Sequence, residues 1–158
     1  MVLDVFSRKI VGHEVHVAES SELASWLMRR TSLAEGLAGR SLVLHSDNGS
    51  AMKGATMLAT LEQLGIAPSF SRPRVSNDNA YAESLFRTCK YRPDYPSKPF
   101  ASLELAQEWT QKFVRWYNQE HKHSGLKFVT PAQRHNFKDA VILKRREQVY
   151  DDARNRRP

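Results

Sequence analysis

An α/β or α+β fold is predicted by three features of the chain. Two β-rich runs open it, short apolar strands then alternate with helical patterns, and the second half repeats its large apolar residues at helical spacing. The 158 residues are 41% hydrophobic and 26% charged, a composition that suits one ordinary domain. A chain of this size buries roughly 70% of its unfolded surface, enough for a core without covalent staples.

The runs Val2–Phe6 and Lys9–Ala18 read as strands, with Ser7-Arg8 as a hairpin turn. Ser20/Ser21 ahead of Glu22 reads as a helix start, with Leu23, Trp26, Leu27, Leu33 and Leu37 as its apolar stripe and Gly39 as its stop. Ser41–Ser46 is a short apolar strand ended by Asp47-Asn48-Gly49. Met57, Leu58, Leu61 and Leu64 define the next helix, with Gly65 as its C-terminal cap, and Ile66–Phe70 can form another strand. SRPRVSNDN is a loop on composition. Asn77, Asp78 and Asn79 then offer N-caps for a helix through AYAESLFRTCKY. Pro93, Pro96 and Pro99 make 92–100 a linker. Leu105, Trp109, Phe113, Trp116 and Tyr117 recur at helical spacing after Ser102, and a last helix is expected near Asp139–Arg154.

The 24 Lys+Arg against 17 Asp+Glu leave a formal charge of +7, which points toward a polyanionic partner, most often nucleic acid. The single cysteine, Cys89, excludes an internal disulfide framework and reads as a buried small hydrophobe in a reducing cytoplasm. No apolar run approaches the ~18 residues of a membrane span, and charges interrupt the N-terminus where a signal peptide needs an apolar core. Glu120, His121 and His123 lack the further N or S donors a structural zinc site requires.

Two carboxylates stand out. Asp47 sits at the C-terminal end of an apolar strand, where open α/β sheets hold ligands, although Asp-Asn-Gly is also a good turn by itself. Glu83 opens a helix, where a solvated glutamate paired with Arg87 is the plain reading. Glu83, Arg87 and Lys90 nevertheless share one face at i, i+4 and i+7. That arrangement suits a metal-ligating carboxylate beside a DNA phosphate, with cations one and two turns further on.

HSDNGS, then 35 residues between Asp47 and Glu83, then NDNAYAES resembles the second and third acidic positions of retroviral-integrase-type transposases. VLDVFSRKIVGHEVH resembles the second and third strands of that core, and YNQEHKHSGLKFVTPAQRH the signature that follows it in bacterial insertion-sequence transposases. The resemblance runs from Val2 to His135. It implies an RNase H-like mixed sheet flanked by helices. It further implies an acidic site for Mg²⁺, with Mn²⁺ as substitute, that cleaves phosphodiesters and transfers strands on transposon-end DNA. Asp47 and Glu83 would be catalytic metal ligands, and Arg87, Lys90, Arg72 and Arg74 DNA contacts. His45, Asn48 and Gly49 would support the Asp47 turn.

The match also implies an absence. The family's first acid lies on a first strand upstream of the VLDVFSRKIVG block, and Asp4, the nearest acid, falls in the second. The chain is therefore expected to be a partial catalytic core, residues 1–136, followed by a basic helical tail, 137–158, with 7 Lys/Arg against 4 Asp/Glu from Lys138 onward. It is expected to be inactive alone, and to lack the central strand between Val2–Phe6 and Ser41–Ser46. That gap would stay open, close by pairing its two neighbours, or take a strand from another chain. The partners implied are transposon-end and target DNA, and a second copy or full-length transposase, in a bacterial cytoplasm at the nucleoid. A non-catalytic DNA-binding or subunit-binding remnant is the alternative, and a different RNase H-like nuclease a more distant one.

Overall fold

The computed structural model describes residues 1–73 and 75–156, the side chains of Ser76 and Asn77 excepted. Its elements are β1 (Val2–Leu3), β2 (Ile10–Gly12), α1 (Ser21–Ala34), β3 (Leu42–Ser46), α2 (Ser50–Lys53), α3 (Ala55–Leu64) and β4 (Ile66–Phe70). A 3₁₀ turn at Ser76–Asn79 leads into α4 (Ala80–Lys90). After it come α5 (Leu103–Gln119), a second 3₁₀ turn (Ser124–Leu126), α6 (Pro131–His135) and α7 (Asp139–Arg156).

The chain divides into two compact units. The first comprises Met1–Leu3 and Val11–Thr110, the second Asp4–Ile10 and Gln111–Pro158. The described strands form two sheets, β1 with β2 and β3 with β4. β3 and β4 run parallel in the register Leu42↔Ile66 through Ser46↔Phe70. Pro68 lies opposite Leu44 in β4, and a residue without an N–H fits there because β4 is an edge strand. Of the three outcomes for the strand gap, closure is not adopted: β1 and β3 belong to different sheets.

Met28 of α1, Met57 and Leu61 of α3 and Ile66 of β4 make the core of the first unit, against which Val2, Leu42 and Leu44 pack. Gly65 ends α3 in the left-handed conformation (φ 68°), where a glycine carries no Cβ penalty, and its N–H bonds the Glu62 carbonyl at 3.0 Å. Ser20 caps α1, its hydroxyl accepting from the Leu23 amide at 3.2 Å.

α1 corrects the expected stripe. Trp26 is 63% and Leu33 85% exposed, while Ser25, Met28, Thr31 and Ser32 are buried. Small residues face inward because neighbouring backbone comes close. A methyl group on Gly12 would stand 2.0 Å from Thr31 Oγ1, and one on Gly54 would collide with the Ser21 hydroxyl. The helix stops at Ala34, five residues short of Gly39. Leu58, one of the apolar residues that define α3, is 37% exposed.

The opening strands are also shorter than the sequence suggests. In the second unit, the Asp4 carboxylate accepts the amides of Phe6 (3.3 Å) and Ser7 (3.1 Å). A side chain that satisfies backbone donors locally competes with the ladder, so strand pairing gives way to a turn at Asp4. The turn spans Asp4 to Lys9, with Arg8 at φ 62°, and is wider than the two-residue turn expected.

The second unit packs around Phe113 and Tyr117, both essentially buried, with Val129. Burial pushes the Tyr117 phenol up to about 12. His121 stacks on Tyr117 with ring centroids 5.3 Å apart, and His123 accepts the Gly125 amide at 3.2 Å, so both histidines have structural work. α6 begins with a reciprocal capping box between Thr130 and Gln133 and has Pro131 in its first turn, which suits a residue with no amide to donate.

Candidate functional site

All the site residues expected from the sequence, Arg74 apart, lie in the first unit. Arg74 falls outside the described residues. Asp47 follows the last residue of β3 and is exposed. Its Oδ1 accepts the Gly49 amide at 3.0 Å, which fixes one face of the carboxylate. A Cβ on Gly49 would sit 3.0 Å from that oxygen and 3.5 Å from the Glu19 carboxylate, so this backbone bears side-chain oxygens close on both counts. Glu83 is exposed in the first turn of α4, and Arg87 and Lys90 are exposed in its last. Arg87 leans over the Tyr91 ring at 5.8 Å.

The turn after β3 is tied to the segment after β4. Asn48 donates its side-chain amide to the Ser71 carbonyl at 2.7 Å, and the Ser71 amide donates to the Ser46 carbonyl at 2.9 Å. His45 places one ring nitrogen 3.0 Å from the Ser69 hydroxyl and the other 3.3 Å from that of Ser71. His45 and Asn48 thus tie the end of β3 and the Asp47 turn to β4 and the residue after it.

Arg72 comes next in the chain and is held by Asp78. The Asp78 carboxylate accepts the Arg72 backbone amide (2.8 Å) and its guanidinium at Nε (3.0 Å) and Nη2 (2.8 Å). The guanidinium and that amide hold the Asp78 carboxyl down at about 2. The sequence offered Asp78 only as one of three N-caps for α4. Asn79 takes the cap position without a side-chain bond, and Asp78 is diverted to Arg72. An i, i+6 pair in a loop carries no periodic signal, so sequence patterning could not have found it.

Cys89 lies 6% exposed inside α4, and burial pushes its thiol up, as a small core hydrophobe rather than a nucleophile requires. Among the described residues, no three His, Cys, Asp or Glu side chains gather closely enough to hold a metal by themselves. No described helix is long and apolar enough to cross a membrane.

The chain has an RNase H-like α/β fold, shared with integrase catalytic cores. It spans 87% of itself and 80% of the catalytic core domain of BIV integrase at a TM-score of 0.55 and 18% identity. For a chain of the simian T-cell lymphotropic virus intasome in complex with a PP2A regulatory subunit, the TM-score is 0.56 at 19% identity, over 76% of this chain and 41% of that one. Two family models, each described as integrase core domain, match residues 1–76 and 64–131. The transposase for insertion sequence element IS904 of Lactococcus lactis is 33% identical over 82% of the chain and 51% of its own length. Transposase InsF for insertion sequence IS3A of Escherichia coli is 25% identical over 86% of the chain and 47% of its own length. The two integrase core domain matches together run from residue 1 to 131, and the chain is similar to insertion-sequence transposases. It spans about half the length of these curated relatives.

Proposed function

We propose that this chain contributes Asp47 and Glu83 as metal-ligating carboxylates to DNA transposition, on transposon-end and target DNA. The observation that carries the reading is the braced Asp47 turn. A carboxylate at the end of a parallel strand is oriented by the Gly49 amide and clamped to the neighbouring strand through Asn48 and Ser71. Exposed carboxylate oxygens are the donors that Mg²⁺, or Mn²⁺ in its place, prefers, and such an ion binds one or two of them with phosphate and water completing its shell. Asp47 and Glu83 would hold a divalent ion, whose chemistry there would be activation of an attacking water or 3′-hydroxyl and stabilisation of the leaving oxygen. Asp47 and Glu83 orient that chemistry, while Arg87, Lys90 and Arg72, with Arg74, neutralise the flanking phosphates. Phosphate oxygens of the DNA and water would supply the further donors. In this reading the chain works beside a second copy or a full-length transposase, in the cytoplasm at the nucleoid, and is inactive in strand transfer by itself.

The formal charge of +7 favours a second reading, a DNA-binding or subunit-binding remnant that performs no chemistry. The test is Mn²⁺ titration of the 158-residue chain with a transposon-end duplex, followed by electron paramagnetic resonance. Asp47→Asn and Glu83→Gln should each weaken Mn²⁺ at least tenfold, on the order expected for losing one of few charged ligands. Unchanged Mn²⁺ binding in both variants, with DNA binding intact, would leave the remnant as the better account.

A further inference from the structure

We infer that Asp78 is a positioning residue for the Asp47–Glu83 site: its three-point hold on Arg72 sets the helix that carries Glu83 against the turn that carries Asp47. This inference rests on the function proposed above.

A continuous path of short contacts joins the two carboxylates. From the Asp47 turn, Asn48 reaches the Ser71 carbonyl, and the Ser71 amide reaches back to Ser46 at the end of β3. The next residue, Arg72, is gripped at backbone and guanidinium by Asp78. Asp78 lies within the 3₁₀ turn that runs directly into α4, and Glu83 follows in the first turn of that helix. Every covalent step between these contacts is one residue, or one short helical segment. The loop from Arg72 to Asp78 is thereby closed at both ends.

The geometry sets this pair apart from an ordinary surface ion pair. An exposed salt bridge adds little because two long side chains must be ordered for one contact. Here the guanidinium meets the carboxylate at two nitrogens, a fork that defines orientation as well as distance. The third contact is a backbone amide, so the carboxylate also fixes the main chain at Arg72. The Asp78 side chain is only 16% exposed, although that of Arg72 is 73% exposed. A metal ligand must be held within about 0.5 Å of its productive place, and a loop held only by its covalent ends does not meet that tolerance.

The test uses the 158-residue chain and two readouts. Residual dipolar couplings of the α4 amides, measured without metal, report the orientation of the helix relative to β3. Mn²⁺ affinity, measured by paramagnetic resonance, reports the assembled site. Asp78→Ala and Arg72→Ala should each average the α4 couplings and weaken Mn²⁺ about tenfold, the usual scale for losing a group that orients a ligand. The double variant should be no worse than Asp78→Ala, which already removes both the fork and the backbone contact that Arg72→Ala keeps. Arg72→Lys and Asp78→Asn, gentler variants that keep size or one contact, should fall between parent and alanine. Protected amides at Met57 and Leu61 in each variant show that the core is intact. Unchanged α4 couplings in Asp78→Ala, or alanine effects that add in the double variant, would overturn the inference. If Asp47→Asn leaves Mn²⁺ affinity untouched, the Asp47–Glu83 reading fails separately, and the couplings still decide whether Asp78 holds α4.

Discussion

Asn48 donates its side-chain amide to the carbonyl of Ser71 at 2.7 Å, so the turn after β3 is clasped to the residue after β4. The two residues lie 23 apart in sequence and carry no shared pattern. The clasp turns Asp47-Asn48-Gly49 from a generic turn into a supported one. Its asparagine faces the neighbouring strand, while its aspartate is left exposed to solvent.

Asn48→Ala tests the clasp. Removing one neutral donor at an exposed site should lower stability by only about 0.5–1.5 kcal/mol. Amide exchange at Ser71 should nevertheless accelerate, since its carbonyl partner is gone and the strand end frays. Unfolding in urea gives the first quantity and exchange by nuclear magnetic resonance the second. Unaltered exchange at Ser71 and Ser46 would show that the backbone pairing holds the turn without Asn48.

Gly12→Ala should be costly. Its methyl group would lie 2.0 Å from Thr31 Oγ1 and 3.2 Å from Leu27 Cδ1, so a neighbour must move. Overpacking of this kind destabilises by about 1–3 kcal/mol. Thr31→Ala alone should be near neutral or stabilising, because the buried Thr31 hydroxyl has no hydrogen-bond partner. In the double variant the two effects should not add, as Thr31→Ala removes the nearest clashing atom. A denaturant cycle on the four proteins checks this.

Acid should weaken the second unit through Asp4. Burial opposes ionisation of its carboxyl. The Ser7 hydroxyl and amide, the Phe6 amide and His135 outweigh that effect and lower it below its ordinary value of 3.8. A carboxyl depressed in the folded state adds stability that is full above its unfolded value, and that stability is lost as pH falls through the folded one. Asp4→Asn should therefore destabilise the chain at pH 7 and flatten the loss of stability below about pH 4. Parallel urea midpoints from pH 7 to 3 for parent and variant show whether it does.

DNA binding should be dominated by charge. With a formal +7, affinity for duplex DNA should fall steeply as salt rises. Arg87→Ala and Lys90→Ala should each reduce the salt slope by about 1 if both face phosphate. Fluorescence anisotropy across a salt series measures the slope. A flat response would remove net charge as the driving force.

Much of this molecule was legible because it rests on short-range rules. Gly65 after an apolar run ends α3, Ser20 caps α1, and an apolar pentad followed by Asp-Asn-Gly ends β3. Each outcome depends on backbone conformation within a few residues, which side-chain chemistry dictates locally. The places of Asp47 after a strand and Glu83 at a helix start were legible in the same way, whereas their pairing was suggested only by resemblance to a family.

Tertiary structure decided what local pattern could not. Trp26 and Leu33 follow a helical period but face solvent, while Ser25, Met28, Thr31 and Ser32 are buried and the Gly12 and Gly54 backbone stands against Thr31 and Ser21. The run after Lys9 alternates as a strand does, yet only Ile10–Gly12 pairs. Asp78, a good N-cap in isolation, is claimed by Arg72, and Asn48 by Ser71. In each case the deciding partner lies several residues away or on another element. Periodicity shows which way a side chain points along its own element, but which neighbour stands there is set only when the elements pack.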